Sequence, residues 1–228
     1  MTGLQTHVQE LRRRLAIVAV FLTLATITVF YYSGDILAFV QSDLGFTLHA
    51  LKAYEVFYTQ IMLSVLIGFI ATLPIAIYQA LKFAEPGLTR REYTTLRNYM
   101  PFAIILFVGG AVFAYEFVVK ASLNFFFAFS TESTVDAVWG LQNTVGFALK
   151  LSAFTGIFFQ LPIVASIMAK IGLLNSEKMI RYRKHFFISV LIIAALTTPP
   201  DIISQVLITV PVLVLYQLSI YLVKRINE

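Results

Sequence analysis

The feature that most constrains this chain is a series of long, uncharged apolar runs. An α-helix needs roughly 20 such residues to cross a bilayer core about 30 Å thick. Composition agrees, because 59% of the 228 residues are hydrophobic and 13% are charged, against roughly 45–50% and 25% in soluble domains. The sequence therefore predicts an all-α, polytopic membrane protein.

These runs and their flanks predict six transmembrane spans within one domain, residues 1–228. The predicted spans are 15–32, 56–81, 98–119, 145–169, 186–198 and 202–223. The fifth is short, since at about 1.5 Å rise per residue it covers only about 20 Å. It must thin the bilayer or sit partly recessed. We therefore expect an uneven, concave bundle of kinked and short spans.

The positions of the basic residues predict the orientation of the bundle. Lys and Arg concentrate in the cytoplasmic loops of membrane proteins. Most of the 17 basic residues precede the first span, follow the sixth, or lie in the segments 82–97 and 170–184. Lys52 and Lys120 lie on the opposite side. We therefore expect cytoplasmic termini in the inner or archaeal cell membrane, and we read the net charge of +5 as loop charge rather than a sign of nucleic-acid binding.

Four prolines predict where helices start or bend. Pro101 stands where a third helix is expected to start, because a first-turn position loses no hydrogen bond. Pro74, Pro162 and Pro211 lie inside predicted spans and are expected to kink them.

Two carboxylates lie on the predicted cytoplasmic side, and each has a purely structural interpretation. Glu10 precedes the first span and can pair with Arg13 or Arg14 along the same helix. Thr89 and Glu92 fit the S/T-x-x-E capping box, in which each side chain bonds to the other residue's N–H. A binding role for either glutamate needs further evidence.

Two polar residues lie inside the fourth span, about 15 Å apart along a helix. Charged groups at this depth usually face a protein interior or a wet cavity. Lys150 can instead snorkel to the outer surface, and Gln160 can instead bond to a neighbouring helix. Asp201 similarly has a local explanation as the N-cap of the sixth helix.

Catalytic motifs of the common enzyme classes are absent from the sequence. It contains no P-loop, no H-E-x-x-H and no G-x-S-x-G, and its three histidines lie in different segments. Cysteine is also absent, which excludes a Cys-ligated metal. We therefore expect no enzyme activity, no metal and no cofactor.

Several motifs, in order along nearly the whole chain, resemble those of the TatC family. They are HVQELRRRL at 7–15, LP and YQ within 73–79, FAEPGL at 83–88 followed by Glu92, FAY at 113–115, FQLP at 159–162 and TPPDIISQ at 198–205. The chain departs from the family at Gln160, where TatC proteins usually carry a glutamate. An amide keeps hydrogen bonding at this position but removes the charge.

The resemblance implies a receptor for twin-arginine signal peptides that works in the export of folded proteins, driven by the proton-motive force. It implies assembly with single-span subunits of the TatA or TatB type and with further copies of itself, in contact with membrane lipid. The implied site residues are Glu10, Arg12 and Glu92 for signal-peptide binding, Gln160 and Lys150 in an intramembrane cavity, and Phe113, Tyr115, Pro199 and Asp201 in motifs on the periplasmic side.

Two other functions compete with this hypothesis. A small-solute channel or secondary transporter would use Lys150 and Gln160 as ligands at the membrane midplane. A structural membrane scaffold would need neither residue. Only the receptor predicts that an Arg-Arg signal peptide is distinguished from a Lys-Lys one, because a carboxylate and a guanidinium form a forked, charge-assisted pair.

Overall fold

The computed structural model describes residues 2–131, 138–197 and 202–227, with the side chains of 7–131, 138–196 and 202–227. The α-helices in these ranges are α1 (Thr2–Tyr31), α2 (Ser33–Leu44), α3 (Glu55–Ala84), α4 (Arg90–Phe113), α5 (Lys120–Thr131), α6 (Leu141–Phe158), α7 (Leu161–Lys170), α8 (Ser176–Thr197) and α9 (Ile202–Asn227). The all-α prediction is confirmed. Contacts join the start of α1 to the end of α3, the end of α3 to the start of α4, and the start of α4 to the end of α7. These basic segments therefore share one end of the bundle, here called the basic end. The loops before α3 and α6 lie at the opposite end.

Helix α1 packs along α3, and a glycine sets how close the two helices come. A Cβ atom on Gly68 would lie only 2.9 Å from the backbone nitrogen of Thr26. Only glycine allows the backbones to approach so closely, as small residues do at many membrane-helix interfaces. This pairing fixes the position of the N-terminal helix against the basic end of α3.

Helices α4 and α6 cross through a pair of glycines. A Cβ on Gly110 would overlap the ring of Phe159, and one on Gly156 would lie 3.1 Å from the carbonyl oxygen of Phe107. The main buried cluster lies nearby and includes Leu151, whose side chain is fully buried. The crossing places α6 and α7 in the centre of the bundle.

The third helix does not start at Pro101, as the sequence analysis predicted. Helix α4 begins at Arg90 and contains Pro101 in its interior. The prediction was wrong because the Thr89–Glu92 capping box bonds to the free backbone N–H groups of Thr89 and Glu92 and so starts the helix eleven residues earlier. The one N–H that Pro101 lacks does not stop the helix. Helical structure then continues through a π-helical segment, Ala114–Val119, into α5.

The fourth predicted span contains a break. Helix α6 ends at Phe158 and α7 begins at Leu161. Pro162 lies in the first turn of α7, where its missing N–H costs no helical bond. The helix is therefore interrupted next to Gln160, close to the kink that Pro162 predicted.

Five helical stretches are long and apolar enough to cross a membrane, judged by the described residues. They are His7–Tyr31, Glu55–Gly87, Arg90–Thr131, Leu141–Lys170 and Ile202–Asn227. The predicted span 186–198 lies mostly in α8, whose first half carries Lys178, Arg181, Arg183 and Lys184. Residue 198 lies outside the described residues. The sixth crossing therefore stays a prediction.

The predicted topology can be tested with two single cysteines in this cysteine-free chain. Gly87→Cys at the basic end and Ala53→Cys at the opposite end should react with a membrane-impermeant maleimide from opposite sides of the membrane. Both sites suit the test, because a Cβ on Gly87 meets open space and Ala53 is exposed. Labelling from the same side would contradict the arrangement of spans.

Candidate functional site

The start of α4 holds Glu92 in a defined position at the basic end. The Thr89 backbone N–H and its hydroxyl each donate to Glu92 Oε2 at 2.8 Å, and the Glu92 N–H donates to Thr89 Oγ1 at 3.3 Å. The predicted capping box is therefore confirmed. These donors stabilise the ionised carboxylate. Both hydrogen bonds from Thr89 end on Oε2 of Glu92. A guanidinium can therefore approach Oε1 of Glu92 without breaking the capping box.

Glu92 also lines a polar cavity of about 310 Å³ between the start of α4 and the turn after α7. Arg91 and Lys170 contribute to its walls, and Gly172 closes the turn with a φ of 79°. That backbone conformation favours glycine. The cavity gives a ligand access to Glu92 in a surrounding that is otherwise basic.

Glu10 lies on α1 and is held by an ion pair along the same helix. Arg14 donates to Glu10 Oε1 from Nε at 3.1 Å and from Nη2 at 2.5 Å, which confirms one of the two predicted pairings. The Arg14 Nη1 donates to Gln79 Oε1 on α3 at 3.2 Å. Arg14 therefore ties Glu10 to the basic end of α3.

The end of α3 also contacts the start of α4. The ammonium of Lys82 lies 5.9 Å from the centroid of the Tyr93 ring and forms a 3.0 Å ion pair with Glu85. Tyr93 directly follows Glu92. The structure thus brings Glu10 and Glu92 to one end of the bundle, linked through α3. Arg12, the third predicted binding residue, is exposed on α1.

Sequence reasoning gave no role to Gln79, although it belongs to the YQ motif quoted above. Its partner Arg14 is 65 residues away along the chain. A spacing rule on one helix cannot find such a contact. The motif itself was the only available signal.

Gln160 lies at the break between α6 and α7 and is partly buried. Its Nε2 donates to the carbonyl oxygen of Ala103 on α4 at 3.1 Å, which is the helix-to-helix bond that sequence analysis left open. Ala103 and Ile163 line a cavity of about 270 Å³ between α3, α4 and α7. The cavity walls are apolar and by themselves do not require water.

Lys150 is exposed on α6. It lies about 15 Å from Gln160 along the helix direction. The structure therefore does not join the two residues into one polar site. A channel or transporter that uses Lys150 and Gln160 together as ligands therefore has no support in the structure.

The FAY motif takes part in a polar network at the opposite end. The Tyr115 hydroxyl donates to Asp43 Oδ2 at 2.8 Å, and Lys120 forms ion pairs with Asp43 at 2.9 Å and with Glu116 at 2.7 Å. The Lys120 ammonium and the Tyr115 hydroxyl hold the pKa of the Asp43 carboxyl below its usual value. Asp43 was missed because it joins this motif only through the fold.

Phe113 belongs to the same motif but points into an aromatic group. Its ring lies 5.6 Å from that of Phe159 and 5.0 Å from that of Phe117. It thereby packs the end of α4 against the break after α6. The two other predicted residues on this side, Pro199 and Asp201, lie outside the described residues.

Glu55 is a second residue that the sequence analysis did not single out. Its side chain is only 3% exposed. It accepts bonds from the N–H groups of Leu51 at 2.7 Å and Lys52 at 3.1 Å, and from that of Gln142 at 2.8 Å. One carboxylate therefore joins the start of α3 to the start of α6.

The chain matches a known protein family along most of its length. The sequence model described as "Sec-independent protein translocase protein (TatC)" matches residues 6–211. A Sec-independent protein translocase protein TatC from Listeria innocua is 33% identical, covering 99% of this chain and 94% of that protein. TatCy from Bacillus subtilis is 31% identical, covering 97% of this chain and 89% of that protein.

The fold is likewise similar to a solved structure. A crystal structure described as the twin arginine translocase receptor TatC superposes with a TM-score of 0.83 at 31% identity. The match covers 97% of this chain and 100% of the other. The similarity therefore extends over the whole bundle.

Proposed function

The chain belongs to the TatC family of Sec-independent protein translocase proteins, and on that premise we propose that it is the receptor for twin-arginine signal peptides. As a TatC protein it is a multi-pass membrane subunit of a protein translocase and not an enzyme. In this proposal it resides in the cytoplasmic membrane and exports folded proteins at the expense of the proton-motive force.

One observation carries the proposal: two carboxylates lie at the same basic end, each held by a local partner. Arg14 holds Glu10 and the Thr89 cap holds Glu92. Hydrogen bonds to charged groups contribute roughly 1.5–3 kcal/mol each. Two carboxylates fixed on separate helices can therefore read two guanidinium groups of one peptide.

The basic surroundings add selectivity to this arrangement. Arg12 follows Glu10 by two residues on α1, and Arg91 lines the same cavity as Glu92, so both ends of the site repel a peptide with an isolated positive charge. A peptide that pairs both arginines with the carboxylates overcomes this repulsion. Lysine forms no forked pair with a carboxylate, so it satisfies the site less well.

Partners of the translocase follow from the same proposal. Single-span subunits of the TatA or TatB type and further copies of this chain would join once a signal peptide is bound. Gln160, at the break between α6 and α7, would act in that later step.

Gln160→Leu should lower export more than it lowers the amount of inserted protein. The variant loses one bond between helices, and such bonds contribute on average about 0.6 kcal/mol to membrane-protein stability. Export of a folded reporter and the amount of membrane-inserted protein are measured in the same cells. Gln160→Glu, which restores the family's usual residue, is the control. Full export by the Leu variant would leave Gln160 as a packing residue.

The receptor function is tested by binding two signal peptides that differ only at the arginine pair. The Arg-Arg peptide should be retained by the protein in lipid nanodiscs and the Lys-Lys peptide should be retained at least about tenfold less, a difference of about 1.4 kcal/mol. Equal retention would favour a scaffold or a solute transporter.

A further inference from the structure

A groove between α4, α7 and α9 shares the Lys170 side chain with the Glu92 cavity, and its other walls are formed by different residues. Its volume is about 540 Å³, within the range of about 300–1,000 Å³ that small-molecule sites occupy. The proposed function makes no use of this groove.

The walls of the groove change character with depth. Asn98 on α4 and Lys170 on α7 lie at its mouth, near the basic end. Phe102, Leu106 and Leu218 line the deeper part. Leu106 lies about 12 Å further along α4 than Asn98. The groove is therefore polar and cationic at the membrane surface and apolar towards the midplane.

The cation at the mouth is held in place by an aromatic ring. The Lys170 ammonium lies 4.9 Å from the centroid of the Tyr99 ring, a cation–π contact. Lys170 is exposed, so its N–H donors remain accessible. The Asn98 amide is exposed beside it and adds further donors.

The charge of the groove argues for a lipid occupant. Lys170 is the one charged side chain among its lining residues, so the groove attracts an anionic headgroup and, unlike the Glu92 cavity, offers a cationic signal peptide no carboxylate. Its apolar part, lined by Phe102, Leu106 and Leu218, presents a surface that an acyl chain can cover.

We propose that this groove binds an anionic phospholipid, with its phosphate at Lys170 and Asn98 and an acyl chain along Phe102, Leu106 and Leu218. Lysine is a common phosphate ligand that acts as a point charge. The charge of the mouth and the depth of the apolar wall match the two parts of such a lipid. The site goes beyond the receptor function, although Lys170 also lines the Glu92 cavity.

A tryptophan reporter and brominated lipids test this site directly. Trp139 is the only tryptophan of the chain, so Phe102→Trp in a Trp139→Phe background reports on the groove alone. Phe21→Trp in the same background is the control, because Phe21 is a 45% exposed aromatic on α1. Each protein is reconstituted with brominated phosphatidylglycerol or brominated phosphatidylcholine, and fluorescence quenching is measured.

The proposal predicts that phosphatidylglycerol quenches the Phe102→Trp reporter with about fivefold higher apparent affinity than phosphatidylcholine, as expected for one basic residue acting on an anionic lipid. Lys170→Gln should abolish this preference and Lys184→Gln, an equal charge change elsewhere at the basic end, should retain it. An equal preference at the Phe21→Trp reporter, or none at Phe102→Trp, would overturn the proposal. Absence of quenching by either lipid would also overturn it and would favour a protein occupant.

Discussion

Replacing both Glu10 and Glu92 with glutamine should abolish most twin-arginine signal-peptide binding. Each single change should weaken binding by about 1–3 kcal/mol, because a neutral amide loses the charge of the guanidinium pair. The double variant should weaken it by about 2–6 kcal/mol, roughly 30- to 20,000-fold, if the two sites act independently. Fluorescence anisotropy of a labelled peptide with the protein in nanodiscs measures these affinities.

The fold offers good controls for this experiment. A capping box accepts Gln in place of Glu, so Glu92→Gln should keep the start of α4. Glu85→Gln removes the same charge nearby, from an ion pair with Lys82, and should leave binding within about threefold of wild type. Unchanged binding by the double variant would reduce Glu10 and Glu92 to their structural roles.

Glu55→Ala should be the most destabilising single change among the residues discussed. It removes three backbone N–H bonds to a buried carboxylate and with them the side-chain link between the starts of α3 and α6. Three hydrogen bonds to a charged group, at about 1.5–3 kcal/mol each, total about 4.5–9 kcal/mol. Because the freed N–H groups at the helix starts can bond to water instead, a net loss of about 3 kcal/mol is expected. For a chain of this size that corresponds to a melting temperature lower by about 6–12 °C.

Thermal unfolding of the purified protein in detergent measures this effect. Glu116→Ala is the matched control, because Glu116 forms a half-exposed ion pair with Lys120 at the same end. Such pairs contribute about 0–1 kcal/mol. Equal shifts for the two variants would show that Glu55 does not join the helices.

The features that local sequence rules predicted correctly are those whose partners lie within one helical turn. Thr89 and Glu92 form the capping box, and Glu10 pairs with Arg14. Pro101 shows the limit of such rules. The sequence contains two signals for a helix start, Pro101 and the Thr89–Glu92 capping box, and α4 begins at the capping box. The length of each apolar run is also a property of one continuous segment, and it predicted the all-α membrane fold correctly.

The features that were missed depend on contacts between distant segments. Glu55 meets Gln142 across 87 residues, and Asp43 meets Tyr115 across 72. For Gln160 the sequence left open a bond to a neighbouring helix, but it did not identify the partner, Ala103, which is 57 residues away. A single sequence carries no signal that pairs such positions. The polar networks at the opposite end therefore became visible only in the folded chain.

A double-mutant cycle between the peptide and Glu92 tests the receptor function most directly. Four affinities are measured, combining wild type or Glu92→Gln with an Arg-Arg or a Lys-Lys peptide. If Glu92 reads an arginine, the two changes are coupled, and the arginine preference should fall by about 1 kcal/mol or more in the variant. An arginine preference of the same size in both proteins would contradict direct recognition by Glu92.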